Sequence, residues 1–312
     1  MSAPTLDIIV PIYNEESALP ELIRRVRITL DKIPNIAWKL ILVENGCTDS
    51  SHEIIEKAVQ DESRIIEVRL TRNFGTEGAL YAGLSISHAD ACITMQGDLE
   101  DPPELIPNFI KEWQSGMDLV YGEVADRKTN TTRKFLTACF YWLANYLTDG
   151  QVRKNASDFR LISRSIREFL LEYGEQEGFL RSLVTWPSNK VRSIPFARNP
   201  RVYGRSHFKV IRIIIWSLSA IVTLSLKPIR AITFLGLLSS LASLVSLLIL
   251  CIRAFFWYVP FPGFGTIVGL QVLFFGLLML SLGVVAEYVA HILIEVRPRP
   301  RFLIASINRS ED

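Results

Sequence analysis

Through the first 125 residues, short β-rich apolar runs alternate with longer segments whose apolar side chains recur every three or four positions. The runs cover 6–12, 38–43, 65–70, 91–95 and 118–121, and the helix-period segments 15–32, 50–60, 75–87 and 103–114. Such alternation predicts an α/β fold with a mainly parallel sheet covered by helices. Past residue 204 the pattern changes. Residues 231–252 carry no charge over 22 positions, and 262–286 none over 25. Each stretch is long enough to cross the ~30 Å hydrocarbon core of a bilayer as a helix. Two transmembrane helices are therefore expected within 229–295. The link between them holds Phe255, Phe256, Trp257, Tyr258, Phe261 and Phe264, which suits a turn dipping into the membrane interface. A hairpin buried in a protein core is the competing reading.

Residues 206–226 place Lys209, Arg212, Ser219 and Thr223 at helical spacing among Ile, Leu, Val and Trp216. The charge-free part, 213–226, would be about 21 Å long, short of the hydrocarbon core. An amphipathic helix lying in the interface is expected over 205–228. A third span would instead put the C-terminus on the opposite side. Lys227 and Arg230 precede the first span and Arg297, Arg299 and Arg301 follow the second, against Arg253 alone in the short loop. That asymmetry places both outer ends, domain 1–204 and tail 296–312, on the cytoplasmic side. Two helices alone bury little in a bilayer, so self-association is expected.

Composition agrees with this division. The 312 residues are 49% hydrophobic with a mean hydropathy of +0.24, high for a soluble protein. A net charge of +2 speaks against general nucleic-acid binding, which needs a marked basic surplus. Cys47, Cys92, Cys139 and Cys251 lack close pairing or metal-ligand spacing and read as packing residues of a reducing compartment. His52, His88 and His291 show no ligand spacing either. Glu287, near the end of the second span, needs a partner or the interface at that depth. The polar start shows no cleavable leader, so the globular part is expected to stay where it is made.

In parallel sheets ligands bind beyond the carboxyl ends of the strands, and four polar clusters fall there. They are Pro11-Ile12-Tyr13-Asn14-Glu15-Glu16, Glu44-Asn45-Gly46-Cys47-Thr48-Asp49, Arg72-Asn73-Phe74-Gly75 and Gln96-Gly97-Asp98-Leu99-Glu100-Asp101. Singly each has an ordinary explanation: Asn45-Gly46 as a turn, Asp49 as a helix cap, Asp101-Pro102-Pro103 as a helix start. Together they predict a nucleotide site.

With Val10-Pro11-Ile12-Tyr13-Asn14-Glu15, Leu70 to Gly75, Gly97-Asp98-Leu99, Asp101-Pro102-Pro103-Glu104 and Asp158-Phe159-Arg160-Leu161, followed by two spans, the chain resembles glycosyltransferase family 2 enzymes of GT-A fold. It is most similar to the polyisoprenyl-phosphate group, which includes dolichol-phosphate mannose synthases and bactoprenol glucosyltransferases. The resemblance implies inverting transfer of a hexose, first of all glucose from UDP-glucose, to undecaprenyl phosphate at a bacterial inner membrane. GDP-mannose is the second donor. It implies nucleotide-sugar contacts at Pro11, Tyr13, Asn14, Glu15, Glu44, Asn45, Arg72, Gly75, Gln96 and Gly97, and catalytic roles for Asp98, Asp158 and Arg160. A Mg²⁺ or Mn²⁺ ion would be held by Asp98, with Glu100 and Gln96 as weaker ligands. Asp158 would orient the acceptor or a cation; a salt bridge to Arg160 is its plain structural role.

The chain departs from the family pattern where Glu44, Asn45 and Gln96 replace aspartates. Drift in an active enzyme, an engineered inactivation and loss of catalysis all fit these departures, so a non-catalytic membrane scaffold stands as the rival reading. A processive synthase lacks its Gln-x-x-Arg-Trp element here, and two spans without repeats make a poor transporter. The acceptor phosphate needs cations. Arg127, Lys128, Arg133, Lys134, Arg201, Arg205, Ser206, His207 and Lys209 are the candidates, which would otherwise meet anionic headgroups.

Overall fold

The computed structural model describes residues 3–124, 156–173, 187–198, 263–296 and 300–310, with isolated positions elsewhere. Elements are labelled in chain order among these residues. They are β1 (Thr5–Ile12), α1 (Leu19–Leu30), β2 (Ala37–Glu44), α2 (Ser51–Asp61), β3 (Ile65–Leu70), α3 (Gly75–Ile86), β4 (Ala91–Thr94), α4 (Ile106–Gln114), β5 (Leu119–Val124), β6 (Ala156–Ser163), α5 (Arg164–Tyr173), β7 (Val191–Phe196), α6 (Phe264–Val296) and β8 (Ile304–Arg309). A 3₁₀ turn, Pro103–Leu105, leads into α4.

The strands form one sheet in the order β7-β5-β6-β4-β1-β2-β3-β8. β4, β1, β2 and β3 run parallel, whereas β6 is antiparallel to both of its neighbours and β8 is antiparallel to β3. The expected α/β class with a mostly parallel sheet is thus present. Both faces of the parallel block are covered, which is why its strands read as nearly unbroken apolar runs. Alternate side chains of β1 serve opposite cores. Leu6, Ile8, Val10 and Ile12 pack with Leu22, Val26 and Phe109, while Ile9 packs with Val43, Leu80 and Ile166. α1 shows the matching helical period, with Leu19, Leu22, Ile23, Val26 and Leu30 buried and a proline in its first turn.

The chain forms two compact units. One carries the sheet, including β8, and the other contains α6. The stretch 296–312, expected as a tail, therefore supplies an edge strand to the sheet that domain 1–204 was expected to form alone. α6 runs 33 residues, beyond the expected span of 262–286, and its part Leu273–Ala290 is long and apolar enough to cross a membrane. Leu273, Phe275 and Ile292 on it are exposed. The first expected span, 231–252, lies mostly outside the described residues, so the two-helix hairpin rests on sequence. The interfacial segment 205–228 lies wholly outside them.

Candidate active site

β1 and β4 are neighbours from which the chain departs to opposite sides, so their carboxyl ends flank the crevice that a doubly wound sheet offers to ligands. Four turns meet there. After β1, Asn14 takes a left-handed conformation, φ 55°, and binds the turn after β2: its Nδ2 donates to Thr48 Oγ1 at 3.2 Å and its Oδ1 accepts from Thr48 N at 2.8 Å. Glu15 N donates to Ser51 Oγ and Glu16 N to Asp49 Oδ2. The nearby Cys47 thiol is pushed up to about 12, chiefly by burial.

The turn after β2 is in turn pinned to the turn after β3. Asn45, 3% exposed, donates through Nδ2 to Gly75 O at 3.1 Å and to Asn73 Oδ1 at 3.3 Å, and accepts from Phe74 N at 2.9 Å. Gly46, at φ +71°, lies so near that a Cβ would stand 2.6 Å from Asn73 N. Only glycine meets both conditions without strain. Glu44 is buried; it accepts from Cys47 N and faces Arg69 Nε at 3.3 Å. Tyr13 is 46% exposed. Arg72 is also exposed, and its guanidinium lies 4.6 Å from the Phe74 ring.

The turn after β4 carries the acidic group. Gly97 packs so close that a Cβ would stand 2.9 Å from Ile12 Cδ1 and 3.3 Å from Pro11 O, so Ile12 would have to shift to admit one. Leu99 holds φ 60°, a conformation costing about 1–3 kcal/mol for such a residue. Its side chain is buried at 4% in the core, which anchors the turn. Asp98 and Gln96 are half-buried beside it, and Asp98 Oδ1 accepts from Glu100 N at 3.1 Å.

β6 enters from the same edge. Thr94 Oγ1 donates to Asp158 O at 2.7 Å, and Asp158 Oδ1 accepts from Arg160 Nη2 at 2.7 Å. The plain role of Asp158, the ion pair with Arg160, is therefore observed. Arg160 is buried, while the Asp158 side chain keeps 28% of its surface, so the cation orients the carboxylate without covering it.

Arg198 carries no sequence signal, and Asp101 reads in the sequence only as part of a cluster and a helix start, with no role of its own. Asp101 has no exposed surface; its Oδ1 meets Ser157 Oγ and Arg198 Nε, each at 3.3 Å. Its Oδ2 has no partner among the described residues. Burial pushes the Asp101 carboxyl above its usual range, against the pull of Arg198, and the charges of Asp98 and Asp158 push the same way. Arg198, just after β7, also pairs with Glu100 at 3.2 Å.

No group of three His, Cys, Asp or Glu able to hold a metal is found among the described residues. Glu100 pairs with Arg198 and Asp158 with Arg160; Asp98 and the neutral Gln96 are the residues of this turn that could hold a cation. That set fits a hard cation completed by water and substrate phosphate oxygens, as Mg²⁺ usually is. Arg127, Lys128, Arg133, Lys134, Arg201, Arg205, Ser206, His207 and Lys209 lie outside the described residues.

An open, mostly parallel sheet with polar turns and carboxylates gathered at the carboxyl ends of its strands is the arrangement in which α/β enzymes bind their ligands. The sequence matches the model of glycosyl transferase family 2 over residues 7–171. The chain belongs to that family and is a glycosyltransferase. It is 31% identical to the bactoprenol glucosyl transferase of Shigella phage SfX over 96% of its length and 99% of the relative's. It is 29% identical to the undecaprenyl-phosphate 4-deoxy-4-formamido-L-arabinose transferase of Salmonella choleraesuis, over 97% and 93% of the two chains. Among solved structures, glucosyl-3-phosphoglycerate synthase from Mycobacterium tuberculosis, in complex with Mn²⁺, UDP-glucose and phosphoglyceric acid, aligns with a TM-score of 0.47. That alignment has 18% identity and covers 71% of this chain and 78% of the other.

Proposed function

We propose that the protein transfers a hexose, glucose from UDP-glucose in the first instance, onto a polyisoprenyl phosphate such as undecaprenyl phosphate at the cytoplasmic face of a bacterial inner membrane. The observation that carries this reading is the convergence of the Asn14, Asn45 and Asp98 turns with Asp158 on one sheet edge. Two full-length relatives named for bactoprenol and undecaprenyl phosphate support the acceptor class.

In this reading the nucleoside lies over the turns after β1 and β2, where Tyr13 offers an exposed ring and Glu44 accepts hydrogen bonds. The diphosphate lies at Asp98. A Mg²⁺ or Mn²⁺ ion held there by Asp98 and Gln96 would neutralise charge on the leaving diphosphate. An oxygen of the lipid phosphate attacks the anomeric carbon on the face opposite the nucleotide, the carbon–oxygen bond to the diphosphate breaks, and the nucleoside diphosphate leaves. The acceptor is already largely ionised at neutral pH, with a second pKa of roughly 6 by analogy with phosphoserine. No strong base is required. Asp158, aimed by Arg160, then serves to orient the acceptor, and the basic residues 127–134 and 201–209 serve to bind its phosphate.

Pairing of β8 with β3 supports the membrane arrangement. Strands on either side of α6 share one sheet, so the chain between them crosses a membrane an even number of times. If α6 crosses, 231–252 is the natural second crossing, and 205–228 then lies in the interface.

The test is radiolabel transfer from a panel of nucleotide-sugars to undecaprenyl phosphate by detergent-purified protein, with Mg²⁺, with Mn²⁺ and with EDTA. Metal-dependent glucosyl transfer from UDP-glucose is expected. Folded protein inactive with every donor would favour the scaffold reading that Asn45 and Gln96 motivate.

A further inference from the structure

A line of polar side chains leads from the C-terminal strand to the nucleotide-site turn. Glu67 on β3 is fully buried, and both of its oxygens are engaged. Asn308 on β8 donates to Oε2 at 2.5 Å, and His52 Nδ1 lies 2.8 Å from Oε1. His52 Nε2 lies 3.3 Å from Arg69 Nη1, Arg69 Nε lies 3.3 Å from Glu44 Oε2, and Glu44 Oε1 accepts from Cys47 N.

The chemistry of these groups fixes the direction of each contact. A guanidinium only donates, so Nε2 must accept and the proton must sit on Nδ1, facing Glu67. Both ring nitrogens of His52 are then used. A buried carboxylate needs donors, and Asn308 and His52 would suffice for that alone. They do not require the far side of His52 to meet Arg69, nor Arg69 to reach on to Glu44. The chain segment before β8 adds a second tie, since Leu303 O accepts from Thr71 N at 3.0 Å and Arg301 stacks on the Tyr81 ring of α3 at 4.3 Å.

We infer that Asn308, Glu67, His52 and Arg69 are positioning residues that set the Glu44 carboxylate for the nucleoside, making the strand after the membrane helix part of the donor site. The inference rests on the reading of Glu44 as a nucleotide contact. It assigns the C-terminal strand a role in donor binding that a tail or a simple edge strand would not have.

The experiment measures donor KM and kcat separately, in transfer from the donor active in the panel above, UDP-glucose being expected, with full-length Glu44→Gln, Arg69→Ala, His52→Ala, Asn308→Ala and the double variant Arg69→Ala/His52→Ala. Arg69 is half exposed, so its variant retains the fold and decides the matter if a buried variant fails to fold. Donor KM is expected to rise about tenfold in Glu44→Gln and Arg69→Ala, the scale of one charge-assisted hydrogen bond. It should rise less in His52→Ala and Asn308→Ala, with kcat held within about twofold throughout. The double variant should be no worse than Arg69→Ala, because both act through one carboxylate. A raised KM in Glu44→Gln with wild-type KM in Arg69→Ala would overturn the relay and leave the nucleotide site standing. Unchanged KM in Glu44→Gln would overturn the nucleotide reading of Glu44 itself, and the relay with it.

Discussion

Asn45 and Asn73 meet side chain to side chain, Nδ2 to Oδ1 at 3.3 Å, and through this contact the turn after β2 holds the turn after β3. Asn45 also donates to Gly75 O, so it needs an amide where the family pattern has an aspartate. A carboxylate would accept from Phe74 N but would face two acceptors with no proton to give.

Asn45→Asp is accordingly expected to lower stability by about 1–3 kcal/mol, the cost of leaving buried polar groups unsatisfied. It should also raise the donor KM. Denaturant unfolding and donor titration on the purified variant check both. A variant as stable as the wild type would show that the asparagine is not a structural peg.

Asp98→Asn neutralises the half-buried carboxylate proposed to share a cation with the diphosphate, while keeping the oxygen that accepts from Glu100 N. Transfer should fall by about 10²–10³, the range for loss of a group that stabilises the transition state electrostatically. The melting temperature should stay within a degree or two of the wild type. Turnover near the wild-type rate would remove Asp98 from the site.

Arg198→Ala strands the buried Asp101 without its cation. Breaking a buried pair costs about 3–5 kcal/mol, and Arg198, 28% exposed, should fall near the lower end. Adding Asp101→Asn to this variant should recover much of the loss, since the neutral amide needs no counter-charge. Thermal unfolding of the single and double variants tests the pair, and additive destabilisation would refute it.

The Cys47 thiol, pushed up to about 12, is about one part in ten thousand ionised at pH 8, and the thiolate is the reactive form. Iodoacetamide should leave Cys47 unmodified in the native protein at pH 8 and label it after denaturation, as peptide mass spectrometry would read. Rapid native labelling would mean that the turn opens.

The parallel block was legible because each of its strands, such as 65–70, is buried on both faces and declares itself by local composition. β8 was not. Its residues Ile304 to Arg309 alternate half-exposed and exposed and become a strand only by pairing with β3, a relationship that no local window contains. β7 hides in the same way behind a proline and two polar residues, and with it went Arg198, whose importance depends on meeting Asp101 97 positions away. The turns that form the site were legible from their place after strands. The ties between them were not: Asn14 and Asn45 bridge neighbouring turns with their amides, and Glu100 pairs with Arg198, contacts that no local window contains.

The distance in sequence between Glu67 and Asn308, 241 residues, bears on how the protein is made. Synthesis proceeds from the N-terminus and domains fold as they emerge, so β3 must wait as a bare edge until α6 has been synthesised. An open edge is a template for wrong pairing, and the interval lasts about 10–50 s at ordinary elongation rates of about 5–20 residues per second. Synthesis of α6 and completion of the sheet are thereby ordered in time: a nascent chain that stalls before residue 304 has its acidic turns but an unfinished edge.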